Sequence, residues 1–248
     1  MKVTALRTHA ITAQDHDLGT LLDAYLPALE AKSVLAITSK IVSVTQGRLV
    51  KTSAADKHAL VEAEADYFLP PGQSRYDVAL TITGRILIPN AGIDESNGNG
   101  YYVLWPRDPQ QVANALRAYL RQRFALDQVG VVITDSTTTP LCWGVTGTAI
   151  AHSGFLALNN RVGHPDIFGR PLSMTQVNIA NALAAAAVLV MGEADEQTPL
   201  AVLSEVPFVQ FQPNDPTPAE LAGLHIALED DLYAPLLKSV SWQKGHAG

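Results

Sequence analysis

Two short, almost entirely apolar runs constrain the fold of this chain more than any other feature. They are SVLAIT at 33–38 and VGVVIT at 129–134. An apolar run of this length between polar residues predicts a buried strand. The second run is followed at once by Asp135 and Ser136, and the carboxyl end of a buried strand is where α/β proteins place ligand contacts. The run therefore predicts both a sheet and a candidate site at its edge.

Hydrophobic periodicity predicts further strands and helices around these runs. The predicted strands are 3–11, 78–89, 100–105 and 201–211; the predicted helices are 18–29, 39–46, 56–68, 109–124, 173–191 and, for the most part, 218–237. This mixed order favours an α+β fold with mixed sheets and flanking helices. No repeat or low-complexity linker divides the chain, so 1–248 is interpreted as one unit, with two interleaved lobes as the alternative.

Charge and cysteine usage exclude several classes of protein. The net charge is -7, and nucleic-acid binding needs clustered Lys and Arg, so we expect no nucleic-acid partner. The most apolar run, 182–191, is too short to span a bilayer, and no signal-peptide pattern opens the chain. The single cysteine, Cys142, allows no internal disulfide. We therefore expect a cytoplasmic protein without a membrane partner.

The loop NAGIDESN at 90–97 is a first candidate site, because it concentrates oxygen ligands around Asp94. Hard divalent cations prefer such ligands. A solvated turn is the alternative, since Asn, Gly, Asp and Ser are common turn residues.

Asp135 and Ser136 form a second candidate, because a carboxylate and a neighbouring hydroxyl can both ligate Mg²⁺ or Mn²⁺. The Ser/Thr/Gly-rich stretch that follows is interpreted as a long loop. Its glycines, which include Gly147, could bring backbone N–H groups close to a phosphate. An Asx turn or a helix cap is the alternative for the Asp-Ser pair.

Two other segments suggest anion and cation contacts. Ser39 and Lys40 begin a predicted helix, where the helix N-terminus and the Lys charge favour an anion; a cap with a solvated Lys is the alternative. Glu193 follows the predicted helix 173–191, where the helix dipole disfavours negative charge. A nearby cation would relieve that, and so would water.

The segment RVGHPDIFGR at 161–170 carries two arginines, Arg161 and Arg170, that could pair with phosphate or carboxylate groups. Asp166 could orient one of them, and salt bridges within the loop are the alternative. Cys142 is interpreted as a small packing residue and not as a nucleophile, because no His lies in a recognisable partner motif.

Several strings together carry a family resemblance. In chain order they are ITSKIVSVTQGR, NAGIDESN, VITDS, GVTGTAIAHSGF, DIFGR and LVMGEADE. They resemble the coenzyme F-420-0:L-glutamate ligases, the gamma-glutamyl ligases of deazaflavin biosynthesis. The TPL stretch at 139–141 is similar to a bacterial branch of gamma-glutamate ligases assigned to folate metabolism.

The resemblance implies an F-420 ligase-like fold, a homodimer, and GTP- or ATP-dependent amide formation between a small-molecule carboxylate and L-glutamate or a similar amino acid. It also implies two Mn²⁺ or Mg²⁺ ions and an acyl-phosphate intermediate. Carried over by position, the metal ligands are Asp94, Asp135, Ser136 and Glu193, and the nucleotide contacts are Ser39, Lys40 and Asn97. Of these, Lys40, Asp94 and Asp135 are the expected catalytic residues.

The chain departs from the family pattern at a few positions. The family usually has Lys where this chain has Val44, and arginines where it has Thr139 and Cys142. In a helix over 39–46, Lys40 lies one turn before Val44 on the same face and could substitute for the missing Lys. Two alternatives to a ligase therefore stay open: a metal-dependent phosphohydrolase, and a nucleotide- or metabolite-binding relative without catalysis.

Overall fold

A computed structural model describes residues 1–70, 72 and 75–247. Within these residues the strands are β1 (Lys2–Leu6), β2 (Ser33–Thr38), β3 (Leu49–Lys51), β4 (Tyr67–Phe68), β5 (Leu80–Thr83), β6 (Ile86–Pro89), β7 (Tyr101–Val103), β8 (Val129–Thr138), β9 (Val145–Ser153), β10 (Leu158–Asn160), β11 (Gln176–Asn178), β12 (Leu200–Ser204) and β13 (Gln243–Lys244). The helices are α1 (Leu18–Tyr25), α2 (Ser39–Thr45), α3 (Lys57–Glu64), α4 (Pro109–Phe124), α5 (Ile179–Met191), α6 (Pro218–Ala222) and α7 (Ala234–Leu237).

The largest sheet in the described part of the chain has the strand order β1-β12-β2-β8-β9. The two apolar runs of the sequence form its adjacent parallel strands β2 and β8, with Thr38 opposite Thr134. The other pairings in this sheet are antiparallel. Because parallel strands end at the same edge of a sheet, the chain that follows β2 lies beside the second half of β8. The prediction of two buried strands is confirmed.

Helices cover both faces of this sheet. On one face α1, α2 and α4 pack through residues such as Leu22, Val42 and Leu120. On the other face α5 packs through Leu183 and Ala184. A strand covered on both faces must be apolar on both sides, which explains the unbroken runs in β2 and β8. The prediction of an α+β fold with mixed sheets and flanking helices is confirmed.

A smaller set of strands lies beside the edge where β2 ends. It comprises the sheet β13-β4-β5-β6 and the ribbon β3-β7, with a separate apolar cluster that includes Val61, Phe68 and Ile93. Strand β6 contacts β8. The loop that follows β6, with its acidic and amide side chains, is thereby directed toward the main sheet.

The Ser/Thr/Gly-rich stretch is not a loop, and that interpretation was wrong. Strand β8 continues through Asp135 and Ser136 to Thr138, and β9 returns along it in a hairpin. A Cβ on Gly147 would lie 2.4 Å from the Ala184 carbonyl oxygen of α5, so this glycine permits close packing of α5 on β9. Pairing and packing override the weak strand propensity of glycine.

The β8–β9 ladder contains a bulge. Ile133 pairs with Ala151 while Thr134 pairs with Ala149, which leaves Ile150 as the extra residue. Ala151 and Ile150 pack on the α4 side of the sheet, and Ala149 packs on the α5 side. The bulge therefore changes which face each side chain of β9 occupies.

Other boundaries also differ from the predictions. The helix 109–124 is confirmed, whereas α5 begins at Ile179 because β11 precedes it. The predicted strand 78–89 is a hairpin that turns at Gly84 and Arg85, both of positive φ. The predicted helix 218–237 is two short helices, α6 and α7. None of the helices within the described residues combines the length and apolar character needed to cross a bilayer.

Candidate active site

A pocket of about 750 Å³ lies at the edge of the main sheet where β2 ends, against the smaller set of strands. Most of the residues singled out from the sequence line it. They are Ser39, Lys40, Asp94, Asn97, Asp135, Ser136 and Glu193. Because these residues come from four separate segments of the chain, their convergence on one pocket is a property of the fold and not of any local motif.

Asp135 lies within β8, and both of its carboxylate oxygens accept hydrogen bonds. The Ser136 backbone N–H donates to Oδ1 over 2.7 Å, and the Trp105 indole N–H donates to Oδ2. Burial raises the pKa of Asp135 to about 6 and the charge of Asp94 adds to this, although the hydrogen bonds from Trp105, Ser136 and Ser39 oppose the rise. The hydrogen bonds therefore do not fully offset the cost of burying a negative charge on Asp135, and a nearby cation would stabilise the ionised carboxylate.

Asp94 is paired with Lys40. The Lys40 ammonium lies 2.8 Å from Asp94 Oδ2 and also donates to the Ser96 carbonyl oxygen over 2.8 Å. Burial alone would raise the pKa of Asp94, but the hydrogen bond and charge of Lys40, together with hydrogen bonds from Ser96, hold that pKa below its ordinary value. The ammonium thus acts as the counter-ion of this carboxylate.

Glu193 and Asn97 connect the segments around the pocket. The Ser136 hydroxyl donates to Glu193 Oε1 over 2.6 Å, and the Asn97 amide donates to the Ala194 carbonyl oxygen over 2.8 Å. Gly192 ends α5 with a positive φ, and a Cβ there would collide with the Glu196 carboxylate. The acidic segment after α5 therefore turns back to line the pocket, while its residues 192–197 stay exposed to solvent.

The side chains around Asp94 and Asp135 are compatible with a divalent cation. Among the described residues no group of three or more His, Cys, Asp or Glu side chains is close enough to form a metal cage by itself. Mg²⁺, however, is usually held by one or two carboxylates together with water and substrate phosphates. The oxygen donors that such a site requires are present in the Asp135 carboxylate, the Ser136 hydroxyl and the Glu193 carboxylate. The raised pKa of Asp135 shows that its negative charge lacks a full counter-charge.

Lys40 and Val44 both lie on α2 and both line the pocket. Because 39–45 is helical as predicted, Lys40 lies one turn before Val44, the position where the family usually has a lysine. A role for Lys40 toward a phosphate stays a prediction.

Arg161 and Arg170 do not line the pocket. They lie in the connection between β10 and β11. The Asp166 carboxylate does not orient an arginine side chain there; it accepts hydrogen bonds from the backbone N–H groups of Phe168 and Arg170. Binding of a ligand by these arginines stays a prediction.

Cys142 is exposed at the tip of the β8–β9 hairpin, so its interpretation as a packing residue was wrong. Thr139 lies at the same tip and accepts a hydrogen bond from the Cys142 backbone N–H over 3.2 Å. Neither residue lines the pocket.

Two features of the pocket were missed from the sequence. Trp105 was placed in a strand but not linked to Asp135, which is 30 positions away. The segment 8–14 also lines the pocket, because β1 ends at Leu6 and not at 11 as predicted. Within it, His9 contacts Tyr25 Oη through Nδ1 at 2.7 Å and Asp15 Oδ1 through Nε2 at 2.9 Å. No short sequence motif signals either arrangement.

Comparison with known proteins identifies relatives of this chain. Residues 73–205 match the family described as F420-0:Gamma-glutamyl ligase. A coenzyme F420:L-glutamate ligase of Methanopyrus kandleri is 36% identical over 205 residues, which is 75% of this chain and 79% of that protein. The enzyme of the same name from Methanococcus maripaludis strain C7 is 32% identical over 237 residues, covering 89% and 93% of the two chains. The coenzyme F420:L-glutamate ligase of Methanocaldococcus jannaschii is 42% identical over 121 residues, which is 48% of each chain.

Proposed function

Because this chain belongs to the F420-0:gamma-glutamyl ligase family, we propose that it is a ligase that forms a gamma-glutamyl amide at the expense of GTP or ATP, with Mn²⁺ or Mg²⁺ as cofactor. One observation carries the proposal. Acidic, hydroxyl and ammonium groups from four distant segments meet in one pocket. A site that holds a triphosphate and its metal ions needs this combination of charges.

The acidic side chains of the pocket fit the role of cation ligands. We assign Asp94, Asp135, Ser136 and Glu193 to this role, and two bound ions would neutralise phosphate charge and polarise the transferred phosphoryl group. Asp135 contributes a carboxylate already fixed by hydrogen bonds. Ser136 Oγ and Glu193 Oε1 lie 2.6 Å apart and are two further oxygens that could ligate a cation.

Lys40 is the proposed phosphate contact. Its ammonium now neutralises Asp94. If a bound cation neutralised that carboxylate instead, the ammonium would be available to contact a phosphate in the same pocket. Ser39 and Asn97 line the same pocket and are the proposed neighbouring nucleotide contacts.

The acceptor is proposed to be a small molecule with a carboxylate. The γ-phosphoryl group of GTP or ATP would pass to that carboxylate and release the nucleoside diphosphate. The amine of glutamate would then displace phosphate from the acyl phosphate to form the amide. Thr139 and Cys142 stand where the family usually has arginines, so the chain lacks two cations that would suit a strongly anionic acceptor. A deazaflavin and a folate-like acceptor are therefore both candidates to be tested.

A homodimer is also proposed. Large apolar side chains are exposed on the β8–β9 hairpin tip, on the β10–β11 connection and on α5, among them Trp143, Phe168 and Leu189. Exposed apolar surface of this kind is typical of protein–protein interfaces. Light scattering of the purified protein tests the proposal, and a monomer at all concentrations would contradict it.

Phosphate release with and without the amino acid tests the activity. The protein is incubated with GTP or ATP and Mn²⁺ or Mg²⁺, with or without L-glutamate and each candidate acceptor, and the product is identified by mass spectrometry. A ligase releases phosphate only when both the acceptor and the amino acid are present. Release without either indicates a phosphohydrolase, and nucleotide binding without release indicates a non-catalytic relative. Asp135→Asn is the inactive control.

A further inference from the structure

Trp105 makes a polar contact that the proposed function leaves unexplained. Its indole N–H donates to Asp135 Oδ2, on the carboxylate assigned to a cation. A tryptophan that served only to fill space could direct this N–H to water or to a backbone carbonyl, as Trp242 does with Leu237. Trp105 directs it to a carboxylate in the pocket.

The position of the indole is determined by its surroundings. The Arg48 side chain donates to the Trp105 carbonyl oxygen over 3.0 Å, and Arg48 also forms an ion pair with Glu64. The backbone of Trp105 is thereby held on the β3 side of the pocket.

Gly92 leaves the space that the indole occupies. A Cβ at this position would lie 2.1 Å from the indole nitrogen and 2.3 Å from Cδ1. No side chain other than hydrogen is compatible with the present position of the ring. Gly92 belongs to the same loop as Asp94, so the loop that carries one acidic residue also makes room for the group that holds the other.

We propose that Trp105 is a positioning residue of the metal site, which fixes the Asp135 carboxylate toward the cation and depends on Gly92 to do so. This rests on the proposed function, because it requires a divalent cation at Asp135. A carboxylate offers about four lone-pair directions. The N–H groups of Trp105 and Ser136 each take one on a different oxygen, so the carboxylate cannot rotate without losing a hydrogen bond.

A fixed carboxylate binds a cation more tightly than a rotating one, because its orientation does not have to be restricted on binding. Hydrogen-bond partners of metal ligands typically change metal affinity by about 10- to 100-fold when they are removed. Trp105→Phe, which keeps an aromatic ring but has no N–H, should therefore weaken Mn²⁺ binding by that factor. Benzothienylalanine at position 105, which has the shape of tryptophan with sulfur in place of the N–H, should show the same loss.

Gly92→Ala provides an independent route to the same contact. Its Cβ should displace the indole and weaken Mn²⁺ binding to a similar extent. If Trp105→Phe and Gly92→Ala both act through the loss of one hydrogen bond, the double variant should bind Mn²⁺ only slightly more weakly than either single variant. Gly47→Ala is the matched control, because Gly47 has a similar φ of 67° and a Cβ added there would meet nothing within 4 Å. Trp242→Phe is the control for loss of an indole hydrogen bond elsewhere.

Free Mn²⁺ is measured by electron paramagnetic resonance, with and without GTP, well below each variant's melting temperature. The expected result is weaker Mn²⁺ binding in Trp105→Phe, in the benzothienylalanine protein and in Gly92→Ala, with parent-like binding in both controls. If Trp105→Phe and the benzothienylalanine protein bind Mn²⁺ as the parent does, the positioning role is refuted while the proposed function stands. A parent protein that binds no Mn²⁺ with or without GTP would overturn both.

Discussion

Replacement of Lys40 separates the contribution of this residue to folding from its proposed contribution to ligand binding. In the structure the Lys40 ammonium is the counter-ion of Asp94, at 2.8 Å from Oδ2. We propose that it moves to a phosphate once a metal ion neutralises Asp94. Lys40→Ala should therefore affect folding, metal binding and nucleotide binding by different amounts and in different directions.

The expected magnitudes follow from the exposure of the pair. The Lys40 side chain is 29% exposed and that of Asp94 is 46% exposed, so water screens their attraction and its loss should destabilise the fold by about 1 kcal/mol at most. Binding of Mn²⁺ alone should tighten by up to about fivefold, because the metal no longer displaces an ammonium. Nucleotide binding in the presence of metal should weaken about tenfold or more, which corresponds to about 1.4 kcal/mol of lost charge-assisted contact.

Isothermal calorimetry with Mn²⁺ alone, and then with Mn²⁺ and GTP or ATP, measures both effects. Lys40→Arg should recover only part of the nucleotide affinity, because a guanidinium is a planar fork and not a point charge. The control is Lys51→Ala, an exposed lysine on β3. Parent-like nucleotide binding by Lys40→Ala would refute the assignment of Lys40 to the phosphate and would favour a non-catalytic relative.

Further predictions concern the acids and the cysteine. Replacing Asp94 or Asp135 by Asn, or Glu193 by Gln, removes a charge that the cation needs, and calorimetry with Mn²⁺ and nucleotide should show weaker binding in each; unchanged binding in Asp135→Asn would contradict the site. Because the folded-state pKa of Asp135 is about 6 and the reference value is 3.8, this residue favours folding most at low pH and its contribution falls as pH rises through 6. Thermal melts of the metal-free protein should therefore lose stability between about pH 4 and 7 relative to Asp135→Asn, and an identical pH profile would count against the buried charge. Cys142→Ala should retain activity and stability, since the side chain is exposed; inactivation of the folded variant in the ligase assay would indicate a thiol mechanism.

The sequence was sufficient to select the residues that line the candidate pocket, because its acids follow strong structural signals. The runs 33–38 and 129–134 had to be buried strands, and their parallel pairing puts Ser39 beside Asp135. Asp94 and Glu193 each follow a regular element, and carboxylates placed in this way are candidate cation ligands. The residues alone left turns, caps and solvated charges as alternatives at these positions, and the structure brings the side chains to one pocket. Their role as cation ligands stays a prediction.

The parts that could not be predicted depend on contacts between distant segments. The Trp105–Asp135 hydrogen bond requires the missing Cβ of Gly92, and no spacing in the sequence relates these three residues. Strand β9 was interpreted as a loop because glycine and serine are typical turn residues, and their presence outweighed the strand preference of the threonines between them. Its stability comes from the ladder with β8 and the contact with α5, which only the assembled fold provides.

The bulge at Ile150 has a consequence for how the β8–β9 hairpin can change in length. Residues four positions apart in a regular strand face the same side of the sheet. Because of the extra residue, Gly147 faces α5 while Ala151 faces the opposite layer. Deletion of Ile150 would remove the bulge and leave the other side chains of β9 on their present faces. One residue inserted between the bulge and Gly147 would instead exchange inward and outward side chains toward the hairpin tip. Residues gained or lost in pairs, one on each strand at the hairpin tip, leave these faces unchanged. The hairpin tip can therefore lengthen or shorten symmetrically without disturbing Asp135, whereas a single-residue change on β9 between the bulge and Gly147 would place side chains against the backbone of α5.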